Sequence, residues 1–312
     1  MKILVTGAAG FIGSHLTEAL AGQGHDVIAL DALLPFPYPA EQKINNWNQI
    51  GRLEKNIKRI KVDLRDALNI PEIEECDFIF HLAAMPGLNL SWEDTKIYIE
   101  CNILATSNLL RTLRPGVLKK FLYVSTSSVY GKSVLGDETS RLAPASPYGV
   151  TKLAAENLIA SYCQAFDMPY SIFRLFSVYG PRQRSDMAFA IFINKLFLGE
   201  PIAVFGDGSQ SRADTYVGDV VDGLISGMSK ARNGETYNLC GNEQNSVLQV
   251  LSTLEDIMGI KPIVKFLAER LGDQQETRSV AMKAIRELGF SPKFTLKEGL
   301  LQQVEWQRAN RN

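Results

Sequence analysis

Two side chains that could move a proton lie four residues apart in the stretch SPYGVTKLAAENLIASY. Tyr148 and Lys152 fall on one face of the helix that this stretch predicts, with Ser146 and Pro147 at its start. A tyrosine normally ionises near pH ~10, and a neighbouring ammonium group would favour its phenolate. The pair could therefore deprotonate an alcohol and reprotonate it in the reverse step. The pattern Tyr-x-x-x-Lys is also common on surface helices.

A run of hydroxyl side chains without any carboxylate forms STSSVYG, residues 125–131. It follows the apolar run KKFLYV, which predicts a buried strand, so the hydroxyls lie at the carboxyl end of that strand. Ligands bind at this edge of an open parallel sheet. Hydroxyl groups can hold a ligand, but they are poor proton shuttles near neutral pH. Capping or turn formation is the alternative interpretation of the serines.

Three glycines mark the junction of the first strand and first helix, in VTGAAGFIG. Gly7, Gly10 and Gly13 let a backbone approach a pyrophosphate, and the helix N-terminus offers N–H groups to it. The spacing is G-x-x-G-x-x-G, which by itself could also reflect a tight turn. A carboxylate where the second strand ends, Asp31, makes dinucleotide binding the stronger interpretation.

The acids that end the second and third strands bear on which dinucleotide is bound. Asp31 is followed by Ala32 and Leu33, which offer no cation to a 2′-phosphate, so NAD is favoured over NADP. Asp63 ends the third predicted strand, where it could meet the adenine edge or be a solvated turn residue.

The elements that must position these residues alternate between strand-length apolar runs and helix-length amphipathic segments. This alternation predicts an α/β fold with a parallel sheet covered on both faces. Helices are expected at about 94–114 and 148–166, and the proline-rich stretch LLPFPYPAEQ predicts an irregular loop. After about residue 177, IAVF, TYNL and IVKF predict shorter strands of a smaller lobe.

Composition excludes several classes of protein. The 312 residues are 46% hydrophobic and 21% charged with a formal net charge of −1, which is typical of a soluble globular protein rather than one that binds nucleic acid or anionic membranes. The four cysteines form no C-x-x-C pair, so a disulfide framework or zinc site is not expected. The N-terminus does not resemble a signal peptide, and no apolar run is long enough to span a bilayer; we therefore expect a cytoplasmic protein.

Several features occur together and in a fixed order along the chain: the glycine pattern, Asp31, HLAA at residues 81–84, Asn102, STSSVYG and YGVTK. In this combination the sequence resembles the extended short-chain dehydrogenase/reductase family, in its nucleotide-sugar epimerase and dehydratase branch. The resemblance covers essentially the whole chain. It implies a Rossmann-type, doubly wound NAD-binding domain over residues 1–176. It also implies a smaller C-terminal α/β lobe over 177–312 that binds a nucleotide sugar, with some return of the chain to the first domain.

The resemblance also assigns roles to residues. It implies a catalytic set of Thr126, Tyr148 and Lys152. The residues that it implies for cofactor binding are Gly7, Gly10, Phe11, Ile12, Gly13, Asp31, Asp63, Leu64, Leu82, Ala83, Ala84, Asn102, Tyr148 and Lys152. Those that it implies for substrate binding are Ser127, Ser128, Ser177, Arg184, Met187, Phe205 and Arg212. No metal is implied.

The absence of acids after the fifth strand selects a reaction within this branch. Members resemble one another in first oxidising the sugar at C4, and the dehydratases and uronate decarboxylases carry motifs resembling STDEVYG and STSEVYG. Here Ser127 and Ser128 stand at those positions. Without an acid to shuttle protons at carbon, the 4-keto sugar is expected to take the hydride back on its other face. The sequence thus predicts a 4-epimerase.

The identity of the sugar is indicated by LFSVYGPRQRSDMAF, residues 175–189, which resembles a segment of UDP-glucuronate 4-epimerases. There the residues matching Arg184 and Ser177 are implicated in holding the substrate carboxylate, and a guanidinium can grip a carboxylate with two hydrogen bonds. A solvated basic turn is the alternative interpretation of PRQR. The sequence departs from the family pattern at Asn89, Ala213, Asp214 and Val280, which concern substrate contacts or the junction with the lobe rather than the catalytic set.

Other functions remain open at this stage. A UDP-glucose or UDP-N-acetylglucosamine 4-epimerase is the nearest alternative, followed by a decarboxylase or dehydratase. A non-catalytic NAD-binding regulator is disfavoured by the intact Tyr148 and Lys152. The family resemblance also implies a homodimer joined through the helices near 94–114 and 148–166.

Overall fold

The computed structural model describes residues 1–53, 56–66, 70–135, 137–268, 276–278 and 281–311. Strands and helices alternate through most of this length. The strands are β1 (Lys2–Thr6), β2 (Asp26–Asp31), β3 (Ile57–Lys61), β4 (Phe78–His81), β5 (Lys120–Thr126), β6 (Ser133–Leu135), β7 (Tyr170–Leu175), β8 (Ser177–Tyr179), β9 (Ile202–Phe205), β10 (Ser211–Tyr216), β11 (Glu235–Leu239), β12 (Gln244–Ser246), β13 (Val264–Leu267) and β14 (Glu276–Arg278).

The helices follow the same alternation. The α-helices are α1 (Phe11–Gly22), α2 (Ala40–Leu53), α3 (Leu90–Glu93), α4 (Thr95–Ile99), α5 (Ala105–Arg111), α6 (Pro147–Ala165), α7 (Ala188–Leu198), α8 (Val217–Lys230), α9 (Val247–Met258), α10 (Met282–Leu288) and α11 (Leu296–Ala309). Short 3₁₀ helices cover Pro71–Glu75 and Ser127–Val129, and a π-helical turn, Glu100–Leu104, joins α4 to α5. The helix predicted at about 148–166 is α6, whereas the one predicted at about 94–114 is divided into α4, this π-helical turn and α5. None of the described helices is both long and apolar enough to cross a bilayer.

A seven-stranded parallel sheet in the order β11-β7-β5-β4-β1-β2-β3 forms the centre of the molecule. Both of its faces are buried. In β1, Ile3 and Val5 pack into the core that holds α1 and α8, while Leu4 faces the core that holds α5 and α6. The alternation of side chains along a strand thus supplies both layers at once. This doubly wound arrangement confirms the predicted fold class.

One strand of the central sheet comes from the C-terminal part of the chain. The TYNL segment, expected to belong to the smaller lobe, forms β11 and pairs in parallel with β7 along the edge of the main sheet. Helix α8 provides the crossover that a parallel pairing needs. TYNL therefore belongs to the central sheet rather than to the smaller lobe. It is a point where the C-terminal part of the chain returns to the strands of the N-terminal part, as the sequence predicted for some of this part.

The remaining C-terminal elements build a second layer with its own apolar core, formed mainly by α7, α9 and α11 with β9. Strand β8 begins only two residues after β7 ends and pairs with β10 at the register Ser177 to Asp214. Ser177 therefore lies where the central sheet meets this second layer. The irregular loop after Asp31 runs through residues 32–39, and the last three residues of LLPFPYPAEQ already belong to α2.

Candidate active site

The glycine-rich turn between β1 and α1 is packed so closely that side chains cannot be accommodated. Gly7 has φ +70°, and a Cβ there would lie 2.8 Å from the backbone nitrogen of Ala83. A Cβ on Gly13 would lie 2.1 Å from the carbonyl oxygen of Gly7. The N-terminal N–H groups of α1 have no partners within the helix, and Gly10 provides no capping side chain. This is the geometry that binds a phosphate group.

Asp31 is held at the end of β2 by the backbone. Its two carboxylate oxygens accept hydrogen bonds from Ala9 N (3.0 Å) and Leu33 N (2.8 Å). Burial raises the pKa of Asp31 in spite of these hydrogen bonds. The positive charge of Lys43, on α2, also acts on this carboxylate. The cation near Asp31 is therefore Lys43, whereas the two residues that directly follow Asp31 carry no charge.

Asp63 is paired with an arginine two residues further on. Arg65 donates to both of its carboxylate oxygens, at 2.7 Å from Nη2 to Oδ2 and 3.1 Å from Nε to Oδ1. Burial opposes the charge of Asp63, but the hydrogen bonds from Arg65 outweigh it and leave the pKa lowered. Both residues line the same cavity as Asp31. The sequence predicted that Asp63 either contacts adenine or is a solvated turn residue, and neither prediction included this ion pair.

Tyr148 and Thr126 meet across the carboxyl end of β5. Burial raises the pKa of Tyr148, while a hydrogen bond with the Thr126 hydroxyl and the positive charge of Arg184 lower it. The hydroxyl of Thr126 also accepts from Ser128 N at 3.1 Å and so caps the 3₁₀ turn. The phenol is thus placed against a hydroxyl and a cation. The positive charge of Arg184 therefore also acts on the phenol, which the helical spacing did not predict. The role of Lys152 beside Tyr148 stays a prediction.

Lys152 is buried below Tyr148 and directed at the sheet. Its Nζ donates to Val124 O at 2.7 Å and lies 4.2 Å from the centre of the Tyr123 ring. Burial lowers the pKa of Lys152 to about 7, and the negative charge of Glu156 opposes the shift. An ammonium group in such a site is easily deprotonated.

A buried hydrogen-bond network adjoins Lys152 one helical turn further along α6. Glu156 accepts from the Nε and Nη2 atoms of Arg174 at 3.1 and 2.7 Å and from the Ser125 hydroxyl at 2.5 Å. Arg174 also donates to the Tyr130 hydroxyl at 2.9 Å. Both side chains are almost fully buried, so removal of either charge would leave the other buried without a counter-charge.

Asn102 lies in the π-helical turn, and its side chain connects two segments next to the site. Its side chain accepts from Met85 N at 2.6 Å and donates to the Thr151 hydroxyl at 3.0 Å. It therefore joins the loop after β4 to the helix that carries Tyr148 and Lys152. π-helical turns of this kind recur at functional sites.

Arg184 reaches the same cavity from the turn that follows β8. Its guanidinium lies 5.7 Å from the centre of the Tyr38 ring, which belongs to the irregular loop after Asp31. A Cβ built on Gly87 would lie 3.9 Å from Arg184 Nη2. Arg184 and Ser177 therefore lie in one cavity with Tyr148.

A single cavity of about 320 Å³ brings together most of the residues that sequence analysis selected. Those lining it are Gly7, Gly10, Phe11, Ile12, Gly13, Asp31, Asp63, Leu64, Leu82, Ala83, Ala84, Thr126, Tyr148, Lys152, Ser177, Arg184 and Met187. Five selected residues are not among the described lining residues: Asn102, Ser127, Ser128, Phe205 and Arg212. Asn102 instead hydrogen-bonds Met85 and Thr151. Arg212 lies near the buried Asp214, whose pKa burial raises well above its usual value although the charge of Arg212 opposes the shift.

Sequence analysis missed the cavity wall formed by the loop after Asp31. Phe36, Pro37 and Tyr38 line the cavity, together with Lys43, whose ammonium group donates to Leu34 O (2.6 Å) and Phe36 O (2.9 Å). The signal was the proline-rich stretch LLPFPYPAEQ close after Asp31, a residue that the resemblance implies for cofactor binding. Its folding onto Arg184 could not be read from the sequence.

The departures from the family pattern have different surroundings. Ala213 is buried in the main core, and Asp214 is buried on the neighbouring position of β10. Asn89 directly precedes α3 and makes no capping hydrogen bond through its side chain. Val280 lies outside the described residues.

Comparison with known proteins places this geometry in a family. The model of the NAD dependent epimerase/dehydratase family matches residues 3–240. A Bacillus subtilis protein named uncharacterized UDP-glucose epimerase YtcB is 43% identical over 98% of each chain. The UDP-glucuronate 4-epimerase of Thermodesulfobacterium geofontis is 34% identical over 98% of this chain and 96% of its own. The crystal structure of UDP-glucuronic acid 4-epimerase from Bacillus cereus, in complex with UDP-glucuronic acid and NAD, superposes with a TM-score of 0.94 at 38% identity over 99% of each chain.

Proposed function

The chain belongs to the NAD dependent epimerase/dehydratase family, and we propose that it interconverts UDP-glucuronate and UDP-galacturonate by inverting C4. One observation carries the choice of sugar: the guanidinium of Arg184 shares a cavity with Tyr148 and acts on its phenol. A base for a sugar hydroxyl and a cation for a sugar carboxylate are therefore within reach of one ligand. The B. cereus relative of known structure is itself a UDP-glucuronic acid 4-epimerase.

The residues of the cavity fit NAD. The close-packed turn at Gly7 and Gly13 and the N-terminus of α1 would hold the pyrophosphate, and Asp31 would accept from the adenosine ribose. Bound NAD supplies a reversible hydride acceptor. The adjacent charges of Asp31 and Lys43 do not provide the net positive charge that a 2′-phosphate would require.

The proton chemistry follows from the residues around Tyr148. We assign its phenolate as the base that removes the proton of the sugar O4–H and, as the phenol, returns it. The Thr126 hydroxyl orients the phenol, and the nearby positive charge of Arg184 favours the ionised form. Ser127 and Ser128 provide no acid at the carbon atoms next to C4. The 4-keto sugar therefore cannot readily eliminate water and is reduced again.

The uronate carboxylate is assigned to Arg184 and Ser177. A guanidinium offers two parallel N–H groups to a carboxylate, and a carboxylate so held resists decarboxylation, which needs it turned out of the plane of the developing enolate. We assign Met187 to the same subsite. Ser127 and Ser128 would contact the sugar, and Phe205 and Arg212 the uracil and diphosphate, from outside the described cavity lining.

A neutral-sugar epimerase is the second candidate, because the B. subtilis relative carries the name of a UDP-glucose epimerase. Incubation with UDP-glucuronate, UDP-glucose and UDP-N-acetylglucosamine, followed by NMR of the products, separates the two. Substrate deuterated at C4 should keep its label, and D₂O should place no deuterium on carbon. Preference for UDP-glucose would overturn the choice of the uronate.

Variants of Arg184 test the same assignment. Removal of a bidentate charged contact costs roughly 2–5 kcal/mol, so Arg184→Ala should lose uronate turnover by orders of magnitude and leak decarboxylated 4-keto pentose. Arg184→Lys should recover part of the activity. Arg286→Ala, which removes a guanidinium that is 73% exposed, is the control. Normal uronate kinetics in Arg184→Ala would contradict the proposal.

We also propose a cytoplasmic homodimer. Ile99 and Leu104, on the segment from α4 to α5, and Val150, on α6, are about half exposed although they are apolar. Such a patch favours association of helices. Light scattering should give the mass of a dimer, and Leu104→Glu with Val150→Glu should give a monomer, whereas Ile263→Glu, at an exposed apolar residue that directly precedes β13, should not. A monomeric wild type would overturn this.

A further inference from the structure

The guanidinium of Arg184 already holds one carboxylate, that of Asp186. Its Nε donates to Asp186 Oδ1 and its Nη2 to Oδ2, each at 2.9 Å. The two residues are separated only by Ser185 in the turn after β8. These two hydrogen bonds use one edge of the guanidinium group. Arginine has five N–H groups, so three remain for another ligand, including both on Nη1.

The two members of the pair have different surroundings. Arg184 lines the cavity, and its side chain is 15% exposed. Asp186 is more exposed, at 34%, and is not among the described residues that line the cavity. Arg184 therefore lines the cavity, whereas Asp186 binds its guanidinium without being among the described lining residues.

A second set of contacts fixes the turn that carries the pair. Ser185 N donates to the side chain of Gln42 on α2 at 3.2 Å, and the Gln42 amide donates to Gln183 O at 2.9 Å. The backbone beneath the Arg184–Asp186 pair is thus attached to the cofactor domain. Asp186 then fixes the one part of Arg184 that the backbone leaves free, its long side chain.

We infer that Asp186 is a positioning residue that selects uronates by fixing Arg184. The inference rests on the proposed function. A guanidinium that is already ordered loses less side-chain freedom when it binds a carboxylate, which strengthens binding without any new contact. Asp186 also supplies the negative charge that a buried guanidinium needs while no substrate is bound. A neutral sugar has no carboxylate for Arg184 to bind, so its affinity does not depend on Asp186.

The test measures binding rather than turnover. NAD-loaded protein carrying Tyr148→Phe, which removes the base, is titrated with UDP-glucuronate, UDP-glucose and UDP by calorimetry, with Asp186 intact and with Asp186→Ala. We expect the Kd for UDP-glucuronate to rise about tenfold or more, equivalent to about 1.4 kcal/mol. The Kd values for UDP-glucose and UDP should stay within about twofold. Asp186→Asn, which keeps one acceptor oxygen, should give an intermediate Kd for UDP-glucuronate.

Three results would overturn the inference. Tighter binding of UDP-glucuronate by Asp186→Ala would mean that Asp186 competes with the substrate for Arg184. An equal loss for all three ligands would mean that Asp186 only maintains the turn. No change in any Kd, while the protein still prefers UDP-glucuronate, would mean that Arg184 is positioned without Asp186. Asp186→Asn, nearly identical in shape, carries the test if Asp186→Ala fails to fold.

Failure of the proposed function has a different signature. If the protein with Asp186 intact binds UDP-glucose as well as UDP-glucuronate, the uronate assignment falls whatever the variants do. If it prefers UDP-glucuronate and Asp186→Ala preserves that preference, only the positioning role falls.

Discussion

Arg182 donates from Nη2 to both carboxylate oxygens of Glu18, at 2.9 Å each, across 164 residues of sequence. Glu18 lies on α1, the helix whose N-terminus begins at the glycine turn, and Arg182 lies two residues before Arg184. The ion pair attaches the turn that carries Arg184 to α1. His15, on the same helix, hydrogen-bonds Pro181 O at 2.9 Å and adds a second attachment.

Glu18→Gln should loosen this attachment. The guanidinium of Arg182 is almost fully buried, and breaking such a pair costs up to roughly 3–5 kcal/mol, less here because Glu18 is partly exposed. We expect a lower free energy of unfolding in urea and a higher KM for UDP-glucuronate, with an unchanged Kd for NAD. Glu200→Gln, which breaks an exposed pair with Lys195, is the matched control. An unchanged KM would show that the turn holds its place without Glu18.

Glu156→Gln should destabilise the protein strongly. It leaves the charge of Arg174 buried without a counter-charge, at a cost of roughly 3–5 kcal/mol in the free energy of unfolding. Replacing Arg174 by Met in the same protein should restore much of the loss, because no charge is then left buried. Urea unfolding of both variants provides the measurement. If the double variant is less stable than the single one, the uncompensated charge is not the cause.

Acid should destabilise the protein through two of its three histidines. Burial lowers the pKa of His81 to about 3 and that of His15 to about 4. The unfolded chain therefore binds protons near pH ~6.5 that the folded chain does not. Stability contributed by the neutral rings is complete above that pH and is lost as the pH falls toward the folded values, by at most about 1.4 kcal/mol per pH unit for each histidine.

Urea unfolding at pH 7.5 and pH 5 measures this loss. The variant His15→Gln should show a smaller difference between the two conditions, while His25→Gln, at a less buried position, should resemble the wild type. A wild type whose stability does not change over this range would contradict the assignment of neutral buried rings.

Removal of the Asp31 carboxylate should change the choice of cofactor. Asp31→Ser takes away the acceptor for the ribose and leaves the nearby ammonium group of Lys43 unbalanced, so calorimetry should show weaker NAD binding and improved NADP binding. Adding Lys43→Met should remove the gain for NADP. Equal affinities of the wild type for NAD and NADP would refute the role of Asp31.

Local sequence determined those features that depend on neighbours along the chain. Tyr148 and Lys152 share a helix face because of the helical repeat, and Ser146 caps that helix by accepting from Gly149 N. Gly7 has a positive φ that glycine adopts without strain. The apolar runs of the strands predicted a sheet buried on both faces, since such runs leave no polar side for solvent.

Tertiary structure decided which of these residues act on one another. The ammonium group of Lys152 donates to Val124 O of β5, a contact that the helical spacing did not predict. Arg184 reaches the cavity of Tyr148 because β8 turns into the second layer and its loop is attached to Glu18 and Gln42. TYNL joined the central sheet because β7 offered a free parallel edge. These contacts join residues that are far apart in sequence. They depend on burial and on the balance of charges in the folded chain, and neither the periodicity nor the spacing of residues predicts these two properties.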